Sequence, residues 1–422
     1  MSVLARTARP VTLQHASQNR RGLSLPILLL GLLWGSASIA QTGDDAVARG
    51  RYLATVGECA GCHSASAGPY AGGREFQTKF GVVESANITP DQATGIGNWS
   101  DEQFYRALHE GRSANGAHLY PAFPYPYFTK LTRADADAIH AFLRTVAPVA
   151  NSPHRNRLAF PMNIRGIMGI WNALYFRPGE FQPDPARSPA WNRGAYIVTG
   201  PAHCGACHSP KNVLEADSRS HPFEGGVIEG WFAPNLTSEA RTGLGGWSED
   251  EVALFLQTGR NRHTAAGGLM ANVVQGSVSK LDPADIRAVA VYLKGLPASA
   301  PPLPVRVDPA AMSRGAAVYA ARCASCHAEG AGELPPLQRA PNVQASNPTT
   351  LIRYVLSGTR TAVTAAHPQA EAMPGFAGDL SDQQTADVLS YIRNAWGNAA
   401  PRVGAHQVAK IRAATVKPAA GG

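Results

Sequence analysis

The six cysteines of the chain fall as three pairs, Cys59/Cys62, Cys204/Cys207 and Cys323/Cys326, and none lies outside them. Two residues separate the members of each pair, and a histidine follows directly: His63, His208 and His327. Two thiols one helical turn apart can each add to a vinyl group of one porphyrin, and the next residue then projects its imidazole at the iron. Disulfide-exchange motifs need no following histidine, and zinc would need two more ligands at every pair. The pattern therefore points to three covalently bound haem c groups, with the cysteines as attachment points and the histidines as proximal iron ligands.

A haem of this kind in an electron carrier takes a second axial ligand, and methionine sulfur raises its potential. Met270 lies 62 residues after His208 and Met373 lies 46 after His327. Both are expected in distal loops. The equivalent position in the first unit, 60 residues after His63, is Phe123, within His118-Leu-Tyr-Pro-Ala-Phe-Pro-Tyr-Pro-Tyr-Phe128. Phenylalanine cannot ligate iron. The first haem is thus either five-coordinate or bound by another group, with His118, Tyr125, Met162 and Met168 as candidates.

Elements that position these groups recur three times. An Arg-Gly step precedes each motif (Arg49-Gly50, Arg193-Gly194, Arg314-Gly315), with an aromatic between step and motif (Tyr52, Tyr196, Tyr319). This predicts a helix delivering the chain to each haem. Amphipathic helices are expected to close the units over Thr132–Val146, Asp282–Leu296 and Ser381–Trp396. Their start signals are Thr132 with Asp135, Asp282 with Pro283, and a Ser381/Gln384 capping box. The first two units match more deeply. Asn87, Trp99 and Gly111 correspond to Asn235, Trp247 and Gly259 at a constant offset of 148, which indicates internal duplication.

The expected boundaries are an export signal over 1–40, units at 41–150, 186–296 and 309–398, a connector at 151–185, a Pro-rich extended linker at 297–308 and a basic tail at 399–422. The export signal is read from Arg20-Arg21, the apolar run Leu23–Trp34 and Ser38-x-Ala40, with cleavage before Gln41; the rival reading is an uncleaved anchor helix. It places the rest of the chain on the periplasmic side of the cytoplasmic membrane, where haem c is attached. The connector is expected to form a helix packing between units one and two, or else a surface for a partner or a membrane. The tail, with four bases and no acid, is expected to be unstructured or to touch anionic lipid.

The net charge of +8 overstates the exported protein, because the first 40 residues hold four arginines and no acid; the remainder carries 34 basic and 30 acidic residues. No dense basic face supports nucleic-acid binding. No dinucleotide fingerprint, phosphate loop or nucleophile motif is present.

The sequence resembles the trihaem cytochrome c subunits of bacterial membrane-bound dehydrogenases acting on alcohol, gluconate, sorbitol or fructose. The resemblance runs from about 46 to 397 and is carried by the three CxxCH motifs and by longer blocks. These are Ser85-Ala-Asn-Ile-Thr-Pro-Asp91, Thr94-Gly-Ile-Gly-Asn-Trp99 and Trp171-Asn-Ala-Leu-Tyr-Phe-Arg-Pro-Gly179. It implies a mainly α fold of three class I cytochrome c-like domains in tandem, each wrapped around its haem. It also implies a catalytic partner subunit holding flavin, pyrroloquinoline quinone or molybdenum, and delivery of electrons to ubiquinone or a terminal oxidase. Phe123 departs from the methionine of that family's alcohol-dehydrogenase members. The leading expectation is a non-enzymatic electron relay. The alternative is a haem enzyme or gas sensor using an open iron at the first haem.

Overall fold

The computed structural model describes residues 43–302, 308–328 and 337–415. The expected export signal lies outside them. The chain is mainly helical. It opens with α1 (Gly43–Val56), the helical turn Cys59–His63, the hairpin β1 (Glu75–Thr78) and β2 (Gly81–Glu84), then α2 (Asp101–Glu110) and α3 (Arg133–Leu143). Strand β3 (Arg157–Leu158) adds antiparallel to β2, and α4 (Ile167–Tyr175) follows. The same series then recurs as α5 (Pro189–Thr199), the turn Gly205–His208, hairpin β4 (Gly226–Ile228) and β5 (Trp231–Ala233), α6 (Glu249–Thr258), α7 (Gly268–Gly276) and α8 (Pro283–Lys294). The last part holds α9 (Pro309–Arg322), the turn Ala324–His327, α10 (Thr349–Ser357), β6 (Thr359–Arg360), β7 (Ala372–Met373), α11 (Asp382–Ile392) and α12 (Ala405–Thr415).

The Arg-Gly steps explain how each first helix meets its closing helix. A Cβ built on Gly50 would stand 1.8 Å from the Ala138 carbonyl oxygen, on Gly194 1.9 Å from that of Ala288, and on Gly315 2.2 Å from that of Asp387. The helices cross with backbones in contact, and only glycine fits. The arginine before each glycine clamps the crossing with a two-pronged ion pair. Arg49 holds Asp135 at 2.9 and 3.1 Å, Arg193 holds Asp285 at 2.7 and 2.6 Å, and Arg314 holds Asp387 at 2.7 and 3.1 Å.

Two of these clamps are shared. The Tyr52 hydroxyl, on α1, donates to Asp285 at 2.6 Å, while the Tyr196 hydroxyl, on α5, donates to Asp135. Each unit thus completes the clamp of the other. Their apolar interiors merge into one core, in which Leu53, Ile139 and Phe142 join Ile197, Val289 and Leu293. The third part has its own core around Ile352, Leu356 and Leu389, and there the Tyr319 hydroxyl turns to the His327 carbonyl.

The internal duplication is visible in detail. Ser100 and Ser248 each close a capping box, with Gln103 and Glu251, and Gly111 and Gly259 end the same helices with φ of 64° and 79°. Ser381 and Gln384 form the expected box. Thr132 caps α3, but Asp135 turns to Arg49 instead of completing a box, and Asp282 makes no side-chain cap because Pro283 supplies the helix start.

Three connecting segments differ in how the structure uses them. In the connector, α4 packs as a helix against both neighbours. Trp171 and Met168 are buried with Tyr125 and Ala216, and the Trp171 indole donates to the Leu214 carbonyl at 2.9 Å. The described part of the Pro-rich linker is pinned, since Arg241 donates to the Pro302 carbonyl at 3.0 Å; residues 303–307 lie outside the described ones. The tail corrects the expectation of an unstructured segment. Residues 405–415 form α12, Val408 is fully buried, and Arg412 pairs with Asp382 at 2.8 Å. A basic tail lacking acids folds here because α11 supplies the acid and a greasy groove.

Burial alone would raise the pKa of Asp285, but its bonds to Arg193 and Tyr52 outweigh burial and leave it below the usual carboxylate range. A depressed folded-state pKa contributes stability above the unfolded value, near 3.9, that is lost as pH falls through the folded value. Asp285→Asn is expected to cost about 1.5–3 kcal/mol at pH 7. It should also flatten the loss of stability in acid, both read by urea denaturation at neutral and low pH.

Candidate functional site

The first CxxCH begins where α1 ends. Gly57 closes the helix, with its N–H donating to the Leu53 carbonyl at 2.8 Å, and Glu58 reverses the chain with φ 52°. Cys59, Cys62 and His63 then line a cavity of about 770 Å³, whose other walls include Ile96, Trp99, Leu108 and Phe123. That volume lies in the range of cofactor sites, roughly 300–1,000 Å³. The second motif lines a smaller cavity of about 170 Å³, with Cys204, Cys207 and His208 facing Met270 and Trp247. At the third, Cys323 and Met373 pack against one apolar cluster with Phe376.

Nδ1 of His63 lies 2.7 Å from the Ala86 carbonyl oxygen, and Nδ1 of His208 lies 2.7 Å from that of Pro234. A carbonyl can only accept, so the proton sits on Nδ1 and Nε2 keeps its lone pair for a metal. Nδ1 of His327 finds no partner among the described residues. Burial lowers the pKa of all three imidazoles, favouring the neutral form that iron ligation requires.

All six cysteines are free. Burial, reinforced by neighbouring thiols and Glu58, pushes Cys59, Cys204 and Cys207 up to about 12 and Cys62 to about 11. Redox-active CxxC pairs have depressed thiol pKa values instead. Neutral thiols beside a large apolar cavity, with an imidazole whose free nitrogen has no other task, fit a covalently tethered porphyrin.

The carbonyls that orient the histidines stand next to matched asparagines. Asn87 accepts from the Thr89 N–H at 2.9 Å and donates to the Thr94 hydroxyl at 3.0 Å and the Val149 carbonyl at 2.8 Å. Asn235 repeats this with Thr237 at 2.7 Å, Thr242 at 3.2 Å and Ser299 at 2.8 Å. The 148-residue repeat marked these positions; their task, tying each histidine's loop to the end of the unit, shows only in three dimensions.

The distal candidates separate. Met270 borders the second cavity, but on helix α7 rather than the expected loop, and Met373 lies in β7. Phe123 borders the first cavity, where Met270 borders the second. None of His118, Tyr125, Met162 or Met168 is in that cavity's wall. Tyr125 and Met168 are buried in the cluster around Trp171, Met162 packs against that cluster, and His118 faces Asn172. Phe123 touches that cluster as well as the cavity, so the candidates lie behind it and not in the cavity's wall. Sequence reading also overlooked the residues before the first two motifs. Glu58 lines the second cavity and His203 lines both.

The crossed helices and CxxCH-lined clefts define a c-type cytochrome. Residues 47–147 match the family model described as cytochrome c, and 310–392 match that described as cytochrome C oxidase, cbb3-type, subunit III. Domains of this kind carry covalently bound haem c. The chain is 38% identical over 427 residues to the "Alcohol dehydrogenase (quinone), cytochrome c subunit" of Gluconacetobacter polyoxogenes, covering 93% of this chain and 90% of that protein. It is 39% identical over 417 residues to the "Gluconate 2-dehydrogenase cytochrome c subunit" of Pantoea cypripedii, covering 91% and 94%. It is also 40% identical over 394 residues to a nicotinate dehydrogenase chain of Pseudomonas putida, covering 88% of this chain but only 33% of that longer protein. The chain belongs to the family of dehydrogenase cytochrome c subunits.

Asn235→Ala removes a buried hub with three bonds and is expected to cost about 2–3 kcal/mol. The check is denaturation of the holoprotein, in which Asn87→Ala should behave alike.

Proposed function

We propose that the chain is the trihaem electron-transfer subunit of a dehydrogenase, acting on the periplasmic side of the cytoplasmic membrane. It takes electrons from a separate catalytic subunit holding flavin, pyrroloquinoline quinone or molybdenum, and passes them to ubiquinone or an oxidase. The observation that carries the reading is the threefold recurrence of one device: a CxxCH turn following a helix clamped to its closing helix at an Arg-Gly step. The relatives' names favour a relay over a haem enzyme.

Each bound haem supplies one-electron chemistry at iron. The chain's own residues hold and tune it. Cys59, Cys62, Cys204, Cys207, Cys323 and Cys326 would form the thioethers, and His63, His208 and His327 would meet the iron. The Ala86 and Pro234 carbonyls fix two of those rings. Met270 and Met373 would hold the distal side at the second and third sites, and Phe123, which lines the first cavity, would cover that side at the first.

Membrane contact finds support in the connector. Phe160, Ile164, Ile170 and Leu174 are exposed, and no acid occurs between residues 151 and 179, where Arg155, Arg157, Arg165 and Arg177 stand. Burying each apolar side chain in an interface is worth roughly 1.5–3 kcal/mol, against about 1 for each arginine near anionic lipid. The apolar contribution therefore dominates. Among the described residues no helix is long and apolar enough to cross a membrane.

Two experiments check this reading. The purified cytochrome should be reduced stoichiometrically by its catalytic partner plus substrate, and should oxidise no substrate by itself with a dye acceptor; turnover by the cytochrome alone would contradict the relay. After dithionite reduction, carbon monoxide should perturb about one third of the haem absorbance, from the site with Phe123 in place of a ligand. Phe123→Met should abolish that change.

A further inference from the structure

We infer that His203 is the side chain that couples the first two haem sites electronically, a positioning residue of the relay and not an iron ligand. The inference rests on the reading that Cys59–His63 and Cys204–His208 each hold a haem. His203 stands in the walls of both cavities, the one residue among the described ones common to their linings. Its Nε2 is buried and has no partner among the described residues. The ring shares the first cavity's wall with Gly57, two residues before Cys59, while its own backbone is joined directly to Cys204. A path from the first cysteine of one motif to the first cysteine of the next therefore crosses a single non-covalent step. The ring also meets Phe128 edge-on, 5.5 Å between centroids, and Phe128 touches Phe123, at 5.3 Å, in the first cavity.

Backbone geometry makes the placement specific. His203 has φ 37°, a left-handed conformation that strains a non-glycine residue. Its counterpart before the first motif, Glu58, is also left-handed, with φ 52°, and reaches the second cavity. The residue before the third motif, Arg322, is helical and exposed. The inward turn thus occurs at the two motifs whose units share a core. Bonded atoms joined by one short contact carry an electron more effectively than an open gap of the same length. One electron leaves a ferrous haem and arrives at a ferric one; His203 itself is neither oxidised nor protonated in the step.

The test uses the holoprotein with His203→Asn, because asparagine tolerates left-handed backbone. A short pulse of reductant delivers one electron, and its redistribution among the haems is followed in the visible spectrum. Redistribution is expected to slow severalfold, with haem content and midpoint potentials unchanged. An unchanged rate, or slowing fully accounted for by shifted potentials, overturns the inference. If the asparagine variant loses haem, His203→Gln is read in the same way. Intact mass of the wild-type protein separates the two failures: a missing haem at either of the first two motifs overturns the underlying reading along with the inference.

Discussion

Two carboxylates, Asp135 and Asp285, decide how the first two units are built. Each receives an arginine from its own unit and a tyrosine from the other. A carboxylate so placed is nearly removed from solvent, and an unpaired charge there would be costly. The four donors leave little unsatisfied. The exchange holds α1 against α8 and α5 against α3, so that the two interiors become one core. The close approach of the two CxxCH turns follows from it: Glu58 and His203 can cross into each other's surroundings only because the helices ahead of them are locked together.

The third part shows what happens when the exchange is missing. Arg314 still clamps Asp387, and Gly315 still admits the close helix crossing. Its aromatic, however, stands five residues after the arginine, not three, and the position three residues on is Ala317. At three residues along a helix the two side chains share a face; at five they do not. Tyr319 accordingly bonds within its own part, and contact with the second unit is made elsewhere, through Arg260 and Glu371 at 2.9 Å and through Thr350 on the Phe232 backbone. This difference was legible in the sequence as a change of spacing.

Much of the site was legible too, because covalent haem attachment demands fixed residue types at fixed separations. The CxxCH motifs, the closing helices and the 148-residue repeat all stand in the sequence. Sequence could not show why the Arg-Gly step recurs, since the reason is a carbonyl oxygen of another helix within 2.2 Å of where a Cβ would be. It offered His118, Tyr125, Met162 and Met168 as ligands, but Tyr125 and Met168 pack with Trp171 of α4 in a cluster that Phe123 borders, outside the cavity wall. Nor could composition foresee that the basic tail would fold, because α12 depends on Asp382 and a groove that exist only after α11 has packed.

The central claim is that one chain holds three haems at three equivalent turns, and intact-mass spectrometry of the holoprotein tests it most directly. The expected spectrum shows three covalent haem additions, with Cys59→Ala/Cys62→Ala, Cys204→Ala/Cys207→Ala and Cys323→Ala/Cys326→Ala each removing a single one. A fully loaded wild-type protein carrying only two additions, or a double variant that still carries three, would contradict it.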